Sequence, residues 1–260
     1  MKRMRILCLA SMALFVMSMA VAATAFAEEE PEHLPEFRKG GARLTLNIPF
    51  TVKGGEVTLK DGSTSVKCKE STGAGEALKL QLTEIAEGVK VDSLSKTVTV
   101  RLMYTGCKVG SIACHNEGTE LILTAALTGW LHFINEAKKE VGEWLKATTG
   151  TVFAEFECSG FAKVKVDSIK NIWEAEEKTP LASCISGRVL PVDEASEMGE
   201  LNFKEVGGLQ EIRKFEPGEP GVKDACELKT SLNESTAEPT EDTSSSLITW
   251  LTGAKIEIKT

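Results

Sequence analysis

The chain has 260 residues, with 38 acidic against 30 basic side chains and a formal charge of −8 at pH 7. That sign weighs against nucleic acid and anionic membrane surfaces as partners. The length is ample for one large all-β domain or two smaller ones.

At the start, Met1-Lys2-Arg3-Met4-Arg5 sets three positive charges ahead of an uncharged run from Ile6 to Ala27. The run ends Ala25-Phe26-Ala27, directly before Glu28-Glu29-Glu30-Pro31. A basic start, an apolar middle and a small-x-small end are the parts of a secretory signal, which predicts residues 1–27 as a signal peptide cut after Ala27. An uncleaved anchor is the alternative, since the run is long enough to span a bilayer. Ala20, Ala22, Ala23 and Ala25 favour cleavage, and Cys8 lies too near the start to carry a lipid. Cleavage removes three positive charges and leaves 233 residues at −11. No later apolar run is long enough to cross a membrane, so stable membrane insertion of the cut chain is not expected.

Residues 28–41, charged and carrying two prolines, read as a flexible acidic tail. From Arg43 onward, apolar and polar residues alternate in short segments split by Gly, Asp, Asn and Ser, the period of β-strands. Val57–Lys60 and Ser65–Cys68 around Asp61-Gly62 predict a hairpin. Thr97–Tyr104 puts Val98, Val100, Leu102 and Tyr104 on one face. Residues 119–158 read as a hairpin whose tip, near Asn135–Val141, holds at most a helical turn, with a helix over 135–147 as the alternative. Residues 162–167 and 254–259 alternate in the same way. The stretches 214–225 and 233–246 are polar, rich in Pro or Ser, and predict loops. Asn233-Glu234-Ser235 is a formal glycosylation acceptor, for which chance is a sufficient explanation. The expected fold is all-β with little helix: one disulfide-linked antiparallel β-sandwich, jelly-roll-like, over residues 42–260.

Six cysteines follow the signal: Cys68, Cys107, Cys114, Cys158, Cys184 and Cys226. An even count in an exported chain reads as three disulfides, with fifteen arrangements open. Cys68 shares a face with Val66, and Cys158 shares one with Phe156 and Ala154, so both point into the apolar layer and suit a bridge across a sandwich. Cys107 and Cys114 bracket a six-residue loop and are paired with each other, which leaves Cys184 with Cys226. Zinc needs several Cys/His ligands at short spacing, so no metal site is expected.

The runs Thr105-Gly106-Cys107, Gly118-Thr119-Glu120, Leu127-Thr128-Gly129-Trp130-Leu131 and Ile134–Gly142, followed by Phe153-Ala154-Glu155-Phe156-Glu157-Cys158, carry a resemblance. The chain resembles, over about residues 50–215, a group of secreted β-rich proteins abundant in some soil actinobacteria. The resemblance implies a Gram-positive, extracellular, all-β product and supplies no site residues. A longer 70–96 segment and the presence of Cys184 and Cys226 depart from that pattern.

Chemistry-bearing motifs are sparse. There is no G-x-S-x-G elbow, H-E-x-x-H or phosphate-binding loop. His33, His115 and His132 are the histidines, with Ser111 near His115. Glu155 and Glu157 share a strand face at a spacing of about 7 Å, the order of a glycosidase pair. The acidic run Glu174–Glu177 reads as a solvated loop. Trp130, Phe133 and Trp144 fall on the hairpin, where exposed indoles would stack on sugar rings and buried ones would be core. These features predict a non-enzymatic secreted or envelope module that binds a surface polymer or protein through Trp130 and Trp144, without a cofactor. A secreted hydrolase of glycans or esters using Glu155, Glu157 or His115 is the alternative. It requires those side chains to line one cleft.

Overall fold

A computed structural model describes residues 35–260, apart from 62–63, 79–80, 86–87, 93, 161, 168–184, 207–208, 213–214, 217–227, 234–237 and 252. The expected signal peptide, the start of the tail, Cys184, Cys226, the acidic run at 174–177 and most of the loop at 214–225 lie outside the described residues.

Among the described residues, strands account for nearly all regular structure. The first are β1 (Glu36–Lys39), β2 (Ala42–Arg43), β3 (Ile48–Gly54), β4 (Val57–Asp61), β5 (Thr64–Cys68) and β6 (Glu70–Ala77). A separate hairpin of β7 (Gln81–Ile85) and β8 (Gly88–Asp92) precedes a 3-10 turn at Leu94–Lys96. Next come β9 (Thr97–Thr105), β10 (Lys108–Val109), β11 (Ile112–His115) and β12 (Leu121–Leu123). The middle of the chain supplies β13 (Leu127–Asn135), β14 (Glu140–Ala147), β15 (Val152–Cys158) and β16 (Ala162–Asp167). The last are β17 (Ile185–Leu190), β18 (Met198–Phe203), β19 (Glu205–Val206), β20 (Leu209–Gln210), β21 (Leu228–Leu232), β22 (Glu238–Trp250) and β23 (Ile256–Lys259). The predicted hairpin of β4 and β5 forms, with Val57 opposite Cys68 and Asp61 opposite Thr64. The 119–158 segment is strand throughout its regular parts, and Glu136–Lys139 is a tight turn between β13 and β14, in which Lys139 N–H donates to the Glu136 carbonyl at 2.9 Å.

The strand pairings trace two circuits that share one strand. Antiparallel ladders run β22–β3–β6–β9–β13–β14–β17–β18 and return to β22, closing an eight-stranded barrel. On the other side of β22 a half-barrel sheet runs β21–β16–β15–β11–β10–β5–β4 and meets β22 again. One end of β22, Glu238–Thr243, pairs with β21 and β4, and the remainder pairs with β18 and β3.

The expected sandwich is therefore a barrel. Alternation puts Val98, Val100, Leu102 and Tyr104 on the buried face as expected, but it carries no information on whether a sheet closes upon itself. Closure depends on β22, and residues 238–246 of that strand fall in the stretch expected to be a loop. Their Ser and Thr content is compatible with either state, and the pairing with four other strands decides it. The tail is also shorter than expected. Residues 36–39 form β1, which pairs with β23 along Glu36↔Lys259 to Lys39↔Ile256, because Phe37 packs edge-on against Trp250 at 5.9 Å.

Inside the barrel, large and small side chains alternate between neighbouring strands. Phe50 of β3 faces Gly75 of β6, and a Cβ on Gly75 would lie 2.7 Å from the Phe50 ring. Eight strands leave a bore that side chains just fill, and inward Val98, Val100, Leu102, Leu131, Val141, Leu145, Ile185, Leu201 and Ile248 are all buried.

The four described cysteines bond differently from the two pairs expected among them. Cys68 joins Cys107 and Cys114 joins Cys158. The register that sets Lys67 opposite Lys108 continues to Cys68 opposite Cys107, and Cys114 lies directly opposite Cys158. Cys107 and Cys114 are also opposite one another, but their backbones are joined by the Cys114 N–H to Cys107 carbonyl bond. Side chains at such hydrogen-bonded positions stand farther apart than those at the alternating positions, so each cysteine bridges outward instead. Cys68 and Cys158 do point inward as expected, yet they occupy the two ends of this row and cannot meet. Both bridges sit where the ladders are thinnest, since β10 and β5 share one residue pair and β11 and β15 share two. Mutating Cys114 and Cys158 together to Ala is expected to cost about 2–4 kcal/mol. Urea unfolding measures that loss, and peptide mapping of the parent protein is expected to recover 68–107 and 114–158.

The C-terminal strand is clasped by Asp193. Its carboxylate accepts from Lys139 at 2.6 Å, from Lys259 at 2.9 Å and from the Thr260 hydroxyl at 2.9 Å. Burial works to raise its pKa, but these bonds outweigh it and hold the group well below the usual carboxylate range. The clasp is thus intact above that range and is lost as pH falls through the lowered value. Asp193→Asn is expected to speed hydrogen exchange at Ile256–Lys259 at neutral pH while leaving exchange in β13 unchanged.

Candidate functional site

Strand β14 places Val141, Glu143, Leu145 and Ala147 on the face that lines the barrel. Glu143 therefore projects a carboxyl group into the apolar bore and retains 4 % of its exposure. Its cross-strand neighbours are Leu131 on β13 and Gly187 on β17. Room for the group comes from Gly129, since a Cβ there would collide with Glu143 Oε1 and approach Val98 to 2.8 Å.

A second buried acid supplies the contrast. Glu36, 7 % exposed, accepts from Arg38 at 2.7 Å, Arg43 at 2.9 Å and Ser95 at 3.1 Å, so its charge is fully compensated. No such bond to Glu143 is found among the described residues. Removal from water disfavours the ionised form, and burial pushes the Glu143 pKa up to about 8. At neutral pH the group is a neutral carboxylic acid, able both to donate and to accept a hydrogen bond.

Two cavities meet at this carboxyl. The first lies between the barrel and the small sheet of β2, β1 and β23, bounded by Phe37, Trp250 and Ile258 and by Leu190 and Met198 on its outer side. The second extends the other way, along Val100, Leu102, Phe203 and Ser246. Phe50, Ile248 and Glu143 border both. Each admits the centre of a water molecule over about 20 Å³, room for one or two waters. Among the described residues bordering either cavity, Glu143 is the one ionisable side chain. Leu190 and Met198 are 42 % and 51 % exposed, so the first cavity reaches an apolar rim at the surface.

The residues expected to bind lie elsewhere. Trp130 and Trp144 are directly opposite on β13 and β14, on the outer face, with ring centroids 5.3 Å apart. Trp144 is buried with Ile212 and Phe215, and Trp130 is half-buried beside them. The Lys146 ammonium stands 4.8 Å from the Trp130 ring and 5.6 Å from the Trp144 ring, occupying a face that a sugar would need. Of the hydrolase candidates, Glu155 is exposed, Glu157 is half-buried, and His115 faces Glu157 across the ladder. His115 Nε2 lies 3.2 Å from Ser159 Oγ rather than beside Ser111, at an exposed turn. None of these side chains borders the cavities at Glu143.

Glu143 is the residue that motif searching passes over. The signal was present in parity, because an acid alternates with Val141, Leu145 and Ala147 on an otherwise apolar face. Among the described residues no cluster of three His, Cys, Asp or Glu side chains suits a metal ion, and no helix is long and apolar enough to cross a membrane. No protein-family model matches the chain, and no curated protein or solved structure matches it.

The raised pKa of Glu143 has a definite consequence for stability. The native state holds this proton more tightly than the unfolded chain, so stability is fully present below the usual value of 4.5 and declines as pH rises toward about 8. Complete ionisation costs on the order of 5 kcal/mol. In Glu143→Gln this decline is expected to disappear, leaving the variant more stable than the parent at pH 9. Urea midpoints at pH 5, 7 and 9 measure the difference.

Proposed function

We propose that the chain is an exported, non-enzymatic binding module whose eight-stranded barrel holds a small apolar ligand against Glu143. The observation that carries this reading is an uncompensated carboxyl group at the junction of two apolar cavities. A barrel under selection for stability alone gains by replacing such a group with an apolar side chain, and perturbed acids in cavities gather at functional sites. Export is supported by the basic and apolar start of the chain and by the paired cysteines, which persist in oxidising compartments. The secreted or envelope setting also makes a surface polymer or protein a natural further partner. The half-buried Trp130 supports that partner less strongly than the cavities support a small ligand.

Xenon, a monatomic apolar probe, tests this. Saturation with it is expected to shift the methyl resonances of Ile248, Leu145 and Val98 while leaving those of Val164, in the half-barrel, in place. Equal or absent shifts at the two groups would contradict the reading. Protein recovered from culture medium is expected to begin at Glu28.

A further inference from the structure

We propose that the outer face of β18, β22 and β3 is the interface of a symmetric dimer, in which Leu247 meets its own copy and Glu200 pairs with Lys53 of the partner subunit. This inference goes beyond the reading of the barrel as a ligand site and does not depend on it.

Of the seven large apolar side chains exposed among the described residues, four lie together on this side of the barrel. They are Leu190, Met198, Leu247 and Leu251, at 42, 51, 45 and 58 % exposure. Strand parity puts them there. Ile248 and Trp250 of β22 are buried inward, so Leu247, Thr249 and Leu251 turn outward. The register sets Met198 opposite Thr249 and Leu190 opposite Glu200. The Leu251 N–H donates to the Pro49 carbonyl at 3.0 Å, so the ladder with β3 runs on to that residue. Apolar surface gathered in this way marks a face that gains by being covered.

Charge identifies what covers it. Across the ladders one row reads Leu190, Glu200, Leu247, Lys53. Glu200 and Lys53 flank Leu247 on opposite sides, about 10 Å apart at the spacing of strands. Neither forms an ion pair among the described residues, and the Glu200 carboxylate accepts from the Ser245 hydroxyl at 2.8 Å. A two-fold axis lying in the interface and running along β22 exchanges the two flanks. It sets Leu247 and Leu251 against their own copies, and Glu200 against the partner's Lys53, twice. An axis running across the strands through the same row would oppose like charges, Glu200 to Glu200 and Lys53 to Lys53. The first arrangement is therefore the one the row supports. Its two cross pairs also offset the repulsion between chains that each carry a net charge of −8. A second copy is the occupant whose charge pattern this face already complements.

The test is sedimentation velocity on the whole protein between about 1 and 100 μM, where a dimer is expected to form as concentration rises. Leu247→Lys is expected to leave only monomer, with an unchanged near-UV circular dichroism spectrum, because the side chain it replaces is exposed. Lys53→Glu and Glu200→Lys are each expected to weaken the dimer by about tenfold or more, since each opposes like charges at two places. Combining the two reversals restores opposite charges across the axis, and the double variant is expected to dimerise within about threefold of the parent. A parent protein that stays monomeric over the whole range would overturn the proposal, and so would a dimer that Leu247→Lys leaves intact. Single reversals that weaken the dimer without rescue in the double variant would overturn the symmetry assigned to it. A monomer that loses capture of some other protein when Leu247 is replaced would give this face to a different partner, and would also overturn it.

Discussion

An acid that has left water without gaining a partner is the constraint around which the barrel is organised. Glu143 lies inside the closed circuit because it shares the barrel-lining face of β14 with Val141, Leu145 and Ala147, and the sheet that carries it curls until its two ends meet on β22. Desolvation then keeps this side chain, which in water would be an anion, as a neutral carboxylic acid at physiological pH. The same chain handles Glu36 in the opposite manner, surrounding it with two arginines and a serine. The two treatments assign the two acids different tasks: Glu36 ties β1 to β2 and to the 3-10 turn, whereas Glu143 presents its hydrogen-bonding capacity to open space.

The remainder of the fold holds that arrangement in place. The long strand β22 is a stave of the barrel and a seam of the half-barrel, so a deformation of one sheet is resisted by the ladders of the other. On the half-barrel side the weakest pairings are reinforced covalently by the row Cys68, Cys107, Cys114 and Cys158. At the barrel end nearest Glu143, β1 and β23 lie over the bore, with Phe37 and Phe50 packing edge-on against Trp250 at 5.9 and 5.4 Å. The Asp193 clasp fastens the end of β23 to the turn between β13 and β14. The cap and the barrel wall thus define the space beside the carboxyl together.

Much of this was legible in the residues, and the exceptions have physical causes. Alternation identified β9 and β16, the hairpin of β4 and β5, and the inward faces of Cys68 and Cys158. It could not distinguish a sandwich from a barrel, because both present one buried and one wet face. The deciding strand was written in Ser, Thr, Glu and Asp, a composition that strands and loops share, and only its pairing partners order it. The disulfides were misassigned because proximity in sequence brings Cys107 and Cys114 opposite one another at a backbone hydrogen-bonded pair, where bridging is disfavoured. Glu143 escaped notice because it belongs to no motif; its meaning comes from Gly129, Leu131 and Gly187 on neighbouring strands, which are distant from it in character rather than in sequence pattern. Trp130 and Trp144 were read only as falling on the hairpin; that they stand opposite one another follows from the β13–β14 register, and the burial of Trp144 follows from the segment carrying Ile212 and Phe215, which periodicity does not locate.

The most direct measurement is the titration of the Glu143 carboxyl itself, followed by its carbon-13 chemical shift in protein labelled at glutamate, with Glu143→Gln used to assign the resonance. The account predicts a group still protonated at pH 7 that ionises near pH 8. A carboxyl that ionises near pH 4.5, as an exposed glutamate does, would contradict it.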